Sequence, residues 1–162
     1  MRTSDSSIKN AWALAGFVAL CLAIGAVSGA VTSASVGTWY AELEKPAFNP
    51  PDWVFGPVWT VLYLMMAFAA WRVWRLRGLV GARTALGVWA VQLALNLCWS
   101  LVFFGLRMPG AALAEIGALL AAIALTLTLF WRLDPLAGVL LVPYAVWVGF
   151  AALLNAAIWR MN

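Results

Sequence analysis

Five apolar blocks constrain this chain more than any other feature of its sequence. They cover residues 11–31, 57–76, 84–105, 110–131 and 136–159. Each reaches the roughly 20 residues that a helix needs to cross a bilayer. Hydrophobic residues make up 65% of the chain and charged residues 10%, which leaves too little polar surface to cover a globule in water. The sequence therefore predicts an all-α membrane protein, a single domain built as a bundle of five transmembrane helices.

The basic residues are divided unequally between the two sides of the predicted bundle. Seven fall on the side of the N-terminus, among them Arg72, Arg75, Arg77 and Arg83, and three fall on the other side. Because cytoplasmic loops carry an excess of Lys and Arg, we expect a cytoplasmic N-terminus, with the first loop and the C-terminus on the opposite side. A basic start also suits a signal peptide, but the first block exceeds the about 7–15 apolar residues of such a segment, which favours a retained helix.

Several functional classes are disfavoured by residue content. The chain has no histidine, so His-ligated haem and most zinc or iron sites are not expected, and neither is a resident metal or cofactor. Cys21 and Cys98 both fall in apolar blocks, which favours two buried thiols over a disulfide. The net charge of +4 collects beside the apolar blocks, where it orients a membrane protein, so we expect no nucleic-acid partner.

The longest connection, residues 38–56, joins the first two blocks. It contains three acidic residues, Glu42, Glu44 and Asp52, beside Lys45 and three prolines. All other predicted links are short. We therefore expect a long loop here, and we expect it to form a lid over a pocket between the helices.

Polar and aromatic residues recur at helical spacing in three of the blocks. They are Trp59 and Tyr63 in the second block, Gln92, Asn96, Trp99 and Phe103 in the third, and Tyr144, Trp147 and Asn155 in the fifth, where Ala151 occupies the step between Trp147 and Asn155. Steps of three and four place each set on one helical face. Polar groups are costly in lipid and usually face the bundle interior or a cavity. The three faces should therefore meet beneath the loop, in a mostly apolar site typical of small-molecule pockets.

Simpler structural explanations exist for the same residues. Seven tryptophans are well explained as anchors at the membrane interfaces: Trp12, Trp39, Trp53, Trp71, Trp74, Trp131 and Trp159. Asn96 and Asn155 could serve only to hydrogen-bond a neighbouring helix. Pro143 is consistent with a tolerated helix kink and with a place in the pocket wall. Glu115 is consistent with contact with the outer lipid headgroups and with a functional role.

Four motifs, taken together and in this order, resemble the TspO family. They are WYAELEKPAFNPP at 39–51, VWTVLY at 58–63, NLCWSLVFFGLR at 96–107 and LVPYAVWVGFAALLNAAIW at 141–159. This family contains the tryptophan-rich sensory and translocator proteins, including the mitochondrial peripheral benzodiazepine receptor. The resemblance covers nearly the whole chain. It implies a homodimer of five-helix bundles, with a pocket under the first loop that binds protoporphyrin IX and synthetic isoquinoline carboxamides.

The resemblance also implies which residues line the pocket. By motif they are Trp39, Trp59, Asn96, Trp99, Tyr144 and Trp147, and helical spacing adds Tyr63 beside Trp59. The expected function is a membrane receptor, transport or sensory protein that binds porphyrins and is linked to tetrapyrrole metabolism. Leu153 stands where the family's sterol motif has a tyrosine, so sterol binding is doubtful.

Two alternatives remain open at this point. Some members of the family are implicated in breaking down porphyrin in light, which here would require oxygen and no metal cofactor, with Trp59 and Trp147 as the catalytic candidates. The other alternative is a small structural subunit whose tryptophans only pack. A ligand that binds the folded state must stabilise it, so thermal unfolding with a porphyrin panel separates the binding protein from the structural subunit.

Overall fold

The protein is helical throughout the part that its structure, a computed structural model, describes. That part is residues 2–162, with side chains from Ser7 onward. Arg2 is one of the seven basic residues counted on the N-terminal side, and its side chain lies outside the described part. The helices are α1 (Arg2–Val36), α2 (Trp39–Glu42), α3 (Asp52–Ser100), α4 (Pro109–Leu133) and α5 (Pro135–Met161), and a π-helical turn, Leu101–Gly105, continues α3. No strand occurs between residues 2 and 162. The predicted all-α class is confirmed.

Four helical stretches have the length and apolar composition needed to cross a membrane. They are Ser7–Val36, Asp52–Gly105, Pro109–Leu133 and Pro135–Met161. Since roughly 20 residues suffice for one crossing, the second stretch, with 54 residues, is far longer than a single crossing requires. The chain has the features of an integral, multi-pass membrane protein, as predicted.

Helix α3 folds back on itself at Gly78. This residue has φ 66° and ψ 177°, a conformation that glycine adopts at little cost because it has no Cβ. The Tyr63 hydroxyl lies 2.5 Å from Asn96 Oδ1, although 33 residues of continuous helix would separate them by about 50 Å. Residues 52–77 and 79–100 are therefore two antiparallel arms, called here the first and second arms of α3. The gap predicted between residues 76 and 84 is reduced to this one glycine.

Several helix boundaries differ from their predicted positions. Helix α1 extends beyond both ends of its apolar block, because polar residues outside the lipid can continue a helix as long as no proline or capping residue ends it. The predicted loop 38–56 is shorter than expected, because α2 occupies part of it and α3 begins at Asp52, leaving residues 43–51 non-helical. Pro51 is extended, and the acidic Asp52 suits the first turn of a helix. Pro57, the predicted start, lies in the second turn.

The helices pack in a continuous series, with α1 against α3, α3 against α4 and α5, and α4 against α5. The core between them is apolar and includes Met66, Leu93, Ile116 and Leu141. Both cysteines are free thiols, and Cys21 is buried as predicted. Cys98 is exposed, so the expectation of a buried thiol is wrong there, because lying in an apolar block does not define which face of the helix a residue occupies. This packing leaves the first arm of α3 between α1 and α5, where the cavity described below forms.

An ion pair joins the end of the first arm to the turn between α4 and α5. Arg72 Nε lies 2.6 Å from Asp134 Oδ2, and Asp134 Oδ1 also accepts a hydrogen bond from Leu136 N at 3.3 Å, which caps α5. The Arg72 guanidinium lowers the pKa of the Asp134 carboxyl below its usual value. The pair fixes the first arm of α3 relative to α5 at the end of the bundle away from the loop.

Candidate functional site

A cavity of about 560 Å³ lies between α1, the first arm of α3, the π-helical turn and α5. This volume falls within the roughly 300–1,000 Å³ of typical ligand pockets. Residues at both ends of the predicted loop, Tyr40 and Asp52, contribute to the wall. The cavity is therefore located where the sequence predicted a pocket, beneath the connection between the first two apolar blocks.

Four of the seven predicted site residues line this cavity: Trp59, Tyr63, Trp99 and Trp147. The Trp59 ring lies 5.7 Å from the Tyr63 ring, centroid to centroid. Trp99 stacks on Phe103 at 5.4 Å with an interplanar angle of 26°. The result is a wall of aromatic faces contributed by α3, the π-helical turn and α5, which suits a flat apolar ligand.

Asn96 and Tyr144 lie one layer behind that wall and do not line the cavity. Tyr63 donates its hydroxyl to Asn96 Oδ1 at 2.5 Å, and Asn96 Nδ2 in turn donates to the Tyr144 hydroxyl at 3.1 Å. Tyr144 then donates to Gln92 Oε1 at 2.8 Å. Asn96 is 1% exposed and Tyr144 is fully buried. In this arrangement the two residues position Tyr63 from behind, a more indirect role than the predicted ligand contact.

Trp39 lies beside the cavity wall, and Asn155 is part of it. Trp39 is half-buried outside the lining, where its ring contacts Phe103 edge-on at 5.9 Å. Asn155 lines the cavity and accepts a hydrogen bond from Trp99 Nε1 at 3.2 Å, while its amide donates to Pro109 O at 2.7 Å. Asn155 therefore bridges helices, as the simpler explanation expected, and it also lines the cavity. The bond to Trp99 fixes the orientation of that indole.

Comparison with known proteins settles the family. The sequence profile of the TspO/MBR family matches residues 17–160, a range that includes every residue lining the cavity. The chain belongs to the TspO/MBR family. The resemblance inferred from the four motifs is therefore confirmed.

Three relatives of this TspO/MBR protein show how far the similarity extends. The tryptophan-rich protein TspO of Chlorobaculum tepidum is 40% identical over 158 residues, which cover 95% of this chain and 98% of that protein. The tryptophan-rich sensory protein of Cereibacter sphaeroides is 41% identical over 151 residues, or 93% and 92% of the two chains. The translocator protein of Homo sapiens is 42% identical over 126 residues, or 76% and 75%.

Helix α1 of this TspO/MBR protein supplies a part of the wall that the sequence reasoning missed. Gly25, Ser28, Gly29 and Thr32 all line the cavity. A Cβ at Gly25 would lie 2.8 Å from Tyr63 Cδ2, so only glycine allows α1 to approach the first arm so closely. The available signal was the recurrence of small residues at steps of three and four, which by itself indicates only a possible helix-packing motif.

The connection between α2 and α3 is held in place by polar contacts at two points. The Tyr40 hydroxyl donates to Asn49 Oδ1 at 2.9 Å. Burial, with a contribution from Asp52, raises the pKa of Tyr40 to about 12, so this donor keeps its proton at neutral pH. Asn162 at the end of α5 pairs with the backbone of Glu44, accepting from Glu44 N at 3.0 Å and donating to Glu44 O at 3.1 Å.

Glu115 does not line the cavity of this TspO/MBR protein. Both of its carboxylate oxygens are buried, and neither has a hydrogen-bond partner among the side chains and backbone that the structure describes. The residue is in the second turn of α4, beside the buried Ile116. It is not part of the candidate site.

Proposed function

We propose that this TspO/MBR protein is a membrane receptor, transport or sensory protein that binds protoporphyrin IX and similar flat apolar ligands in the aromatic cavity. The observation that carries the proposal is the convergence of Trp59, Tyr63, Trp99 and Trp147 on one hollow of about 560 Å³. Favourable aromatic pairs contribute about 0.5–1.5 kcal/mol each beyond area burial, so several such faces favour a planar ring system. Porphyrin is the ligand in this proposal, and no metal or cofactor is assigned.

The names of two relatives agree with this proposal. The matched protein of Homo sapiens is a translocator protein, and that of Cereibacter sphaeroides is a tryptophan-rich sensory protein. The two names describe translocation and sensing, not a structural subunit. We extend them to this chain because its aromatic cavity provides a place for such a molecule to bind.

The proposed membrane arrangement has five crossings, with each arm of α3 crossing once. The arginines Arg72, Arg75, Arg77 and Arg83 cluster where the two arms meet, which supports a cytoplasmic position for this turn and for the N-terminus. The cavity and the loop would then face the opposite side. We also propose a homodimer, on the basis of family membership, and cross-linking in membranes tests it.

The binding proposal is tested by titrating the purified protein in lipid nanodiscs with protoporphyrin IX in the dark. We expect saturable quenching of tryptophan fluorescence in the wild type. Trp147→Phe should raise Kd by up to about fivefold, because phenylalanine keeps an aromatic ring but loses part of the indole's contact area and its N–H. The matched control is Trp12→Phe on α1, because Trp12 is 75% exposed and lies outside the cavity. Equal Kd values for the two variants would contradict the site assignment.

A second candidate function is light-dependent oxidation of porphyrin by dioxygen. One observation favours it: both tryptophans named as catalytic candidates, Trp59 and Trp147, line the same cavity. Illuminating the protein–porphyrin mixture should then produce a new absorbing product that is missing in darkness and in Trp59→Phe. A product that forms equally with the variant would assign the chemistry to free porphyrin.

A further inference from the structure

The charge of the cavity wall suggests which ligands it favours. Among the lining residues that the structure describes, Asp52 is the single charged side chain, and no lysine or arginine is present. Asp52 is exposed and lies in the first turn of α3, where the N-terminal end of the helix dipole stabilises its carboxylate. A ligand group that lies at this end of the cavity therefore meets a negative charge, and no cation lines the described wall.

Lys45 is the basic residue nearest in sequence to this end of the cavity. Its ammonium group lies 4.7 Å from the centre of the Tyr40 ring and 3.4 Å from Ala41 O. Both contacts hold it beside α2, and it does not line the cavity. Arg107 and Arg160 are also outside the lining. None of the three neutralises Asp52 through an ion pair within the described residues.

The buried hydrogen-bonding groups of the wall suit an uncharged ligand. Trp147 Nε1 and Ser28 Oγ are buried and have no partner in the described protein. The Trp99 indole and the Tyr63 hydroxyl are already engaged, with Asn155 and Asn96 respectively. An indole N–H and a hydroxyl can satisfy a carbonyl, an ester or a ring nitrogen, but burying a carboxylate here without a cation would be costly.

We infer that Asp52 makes the cavity selective by charge, so that it favours flat ligands that are uncharged and disfavours those that bring carboxylates to the end of the cavity that Asp52 lines. This inference rests on the proposed function, because it concerns the same cavity. A porphyrin that keeps its free carboxylates in solvent at this exposed end of the cavity places them near the Asp52 carboxylate, where like charges repel. An esterified porphyrin with the same ring system escapes this repulsion.

The test compares two probes, protoporphyrin IX and its dimethyl ester, on the wild type and on Asp52→Asn in the same nanodiscs. We expect Asp52→Asn to bind the free acid about threefold more tightly, the size of an exposed charge–charge interaction, and to bind the ester unchanged. Because the ester reports an intact cavity, it also controls for misfolding. The gain for the free acid should shrink as salt is raised, since salt screens exposed charges. The matched control is Glu44→Gln, an acidic residue outside the lining, which should change neither affinity.

The outcomes separate this inference from the proposed function. If the wild type binds neither porphyrin, the proposed function fails and the inference fails with it. If both bind and Asp52→Asn leaves the affinity for the free acid unchanged, the charge selectivity is refuted while porphyrin binding stands. A variant that binds both probes more tightly, or both more weakly, would show an effect on cavity shape and would equally refute the inference.

Discussion

Replacing Gly25 by alanine should damage the wall of the cavity, whereas the same change one turn away at Gly29 should not. A Cβ at Gly25 would lie 2.8 Å from Tyr63 Cδ2 and 2.9 Å from Tyr63 Cε2. Carbon atoms in good contact are about 3.5–4.0 Å apart, so the ring or the helix must move by about 1 Å. A Cβ at Gly29 meets nothing within 4 Å. Both glycines line the cavity and lie inside α1, which makes them a matched pair.

The Tyr63 ring cannot easily move aside, because it is held at both ends. Its backbone belongs to the first arm of α3, and its hydroxyl is hydrogen-bonded to the buried Asn96 at 2.5 Å. Overpacking of this kind costs about 1–3 kcal/mol. Moving the ring would also strain or break its hydrogen bond to Asn96, which adds about 0.6 kcal/mol, the average for such bonds in membranes. The gain in helix propensity from glycine to alanine is shared by both variants, so it cancels in their comparison.

Thermal unfolding of wild type, Gly25→Ala and Gly29→Ala in the same lipid or detergent measures this difference. We expect Gly25→Ala to unfold about 2–12 °C below Gly29→Ala, since the overpacking cost is about 1–3 kcal/mol and about 1 kcal/mol corresponds to about 2–4 °C for a chain of this size. Adding Tyr63→Leu to Gly25→Ala should recover part of the loss, because the clashing ring atoms are removed. Equal Tm values for the two alanine variants would refute the reasoning, and so would the absence of coupling between Gly25 and Tyr63.

Two further predictions concern the ends of the bundle. Because Arg72 lowers the pKa of Asp134, the pair stabilises the fold above the unfolded value of about 3.9 and loses its effect as pH falls through the lower folded pKa. Asp134→Asn should therefore lower Tm at neutral pH, and the difference from wild type should narrow below about pH 4; a constant difference would contradict the pair's role. Asn162→Ala removes both bonds to the backbone of Glu44, so hydrogen exchange of residues 43–51 should accelerate with little change in Tm. Unchanged exchange would show that Asn162 does not restrain the loop.

Local patterns in the chain are sufficient to predict the helices and one side of the cavity. Hydrophobicity and helical period are properties of contiguous residues, so the apolar blocks and the aromatic faces of Trp59, Trp99 and Trp147 can be assigned from spacing. The four family motifs are also contiguous, which is why the amino-acid sequence alone carries the TspO resemblance. The predicted loop is too long, because its first and last turns are helical despite their polar and proline-rich composition.

Contacts between residues distant in sequence depend on how the helices pack. Spacing places Asn96 and Tyr144 on the faces of their helices, but it does not define their depth, and packing puts them behind Tyr63 instead of in the wall. Gly25 allows α1 to pack closely against the Tyr63 ring, and this role depends on a contact that the sequence does not show. In the sequence, Asp52 is an acidic residue at the start of a helix, where such residues are common. Only the folded structure shows that it is the one charged residue in the described cavity wall. The spacing of residues along the sequence specifies which face of its own helix a side chain occupies. Which residues that side chain contacts depends on the positions of all the other helices.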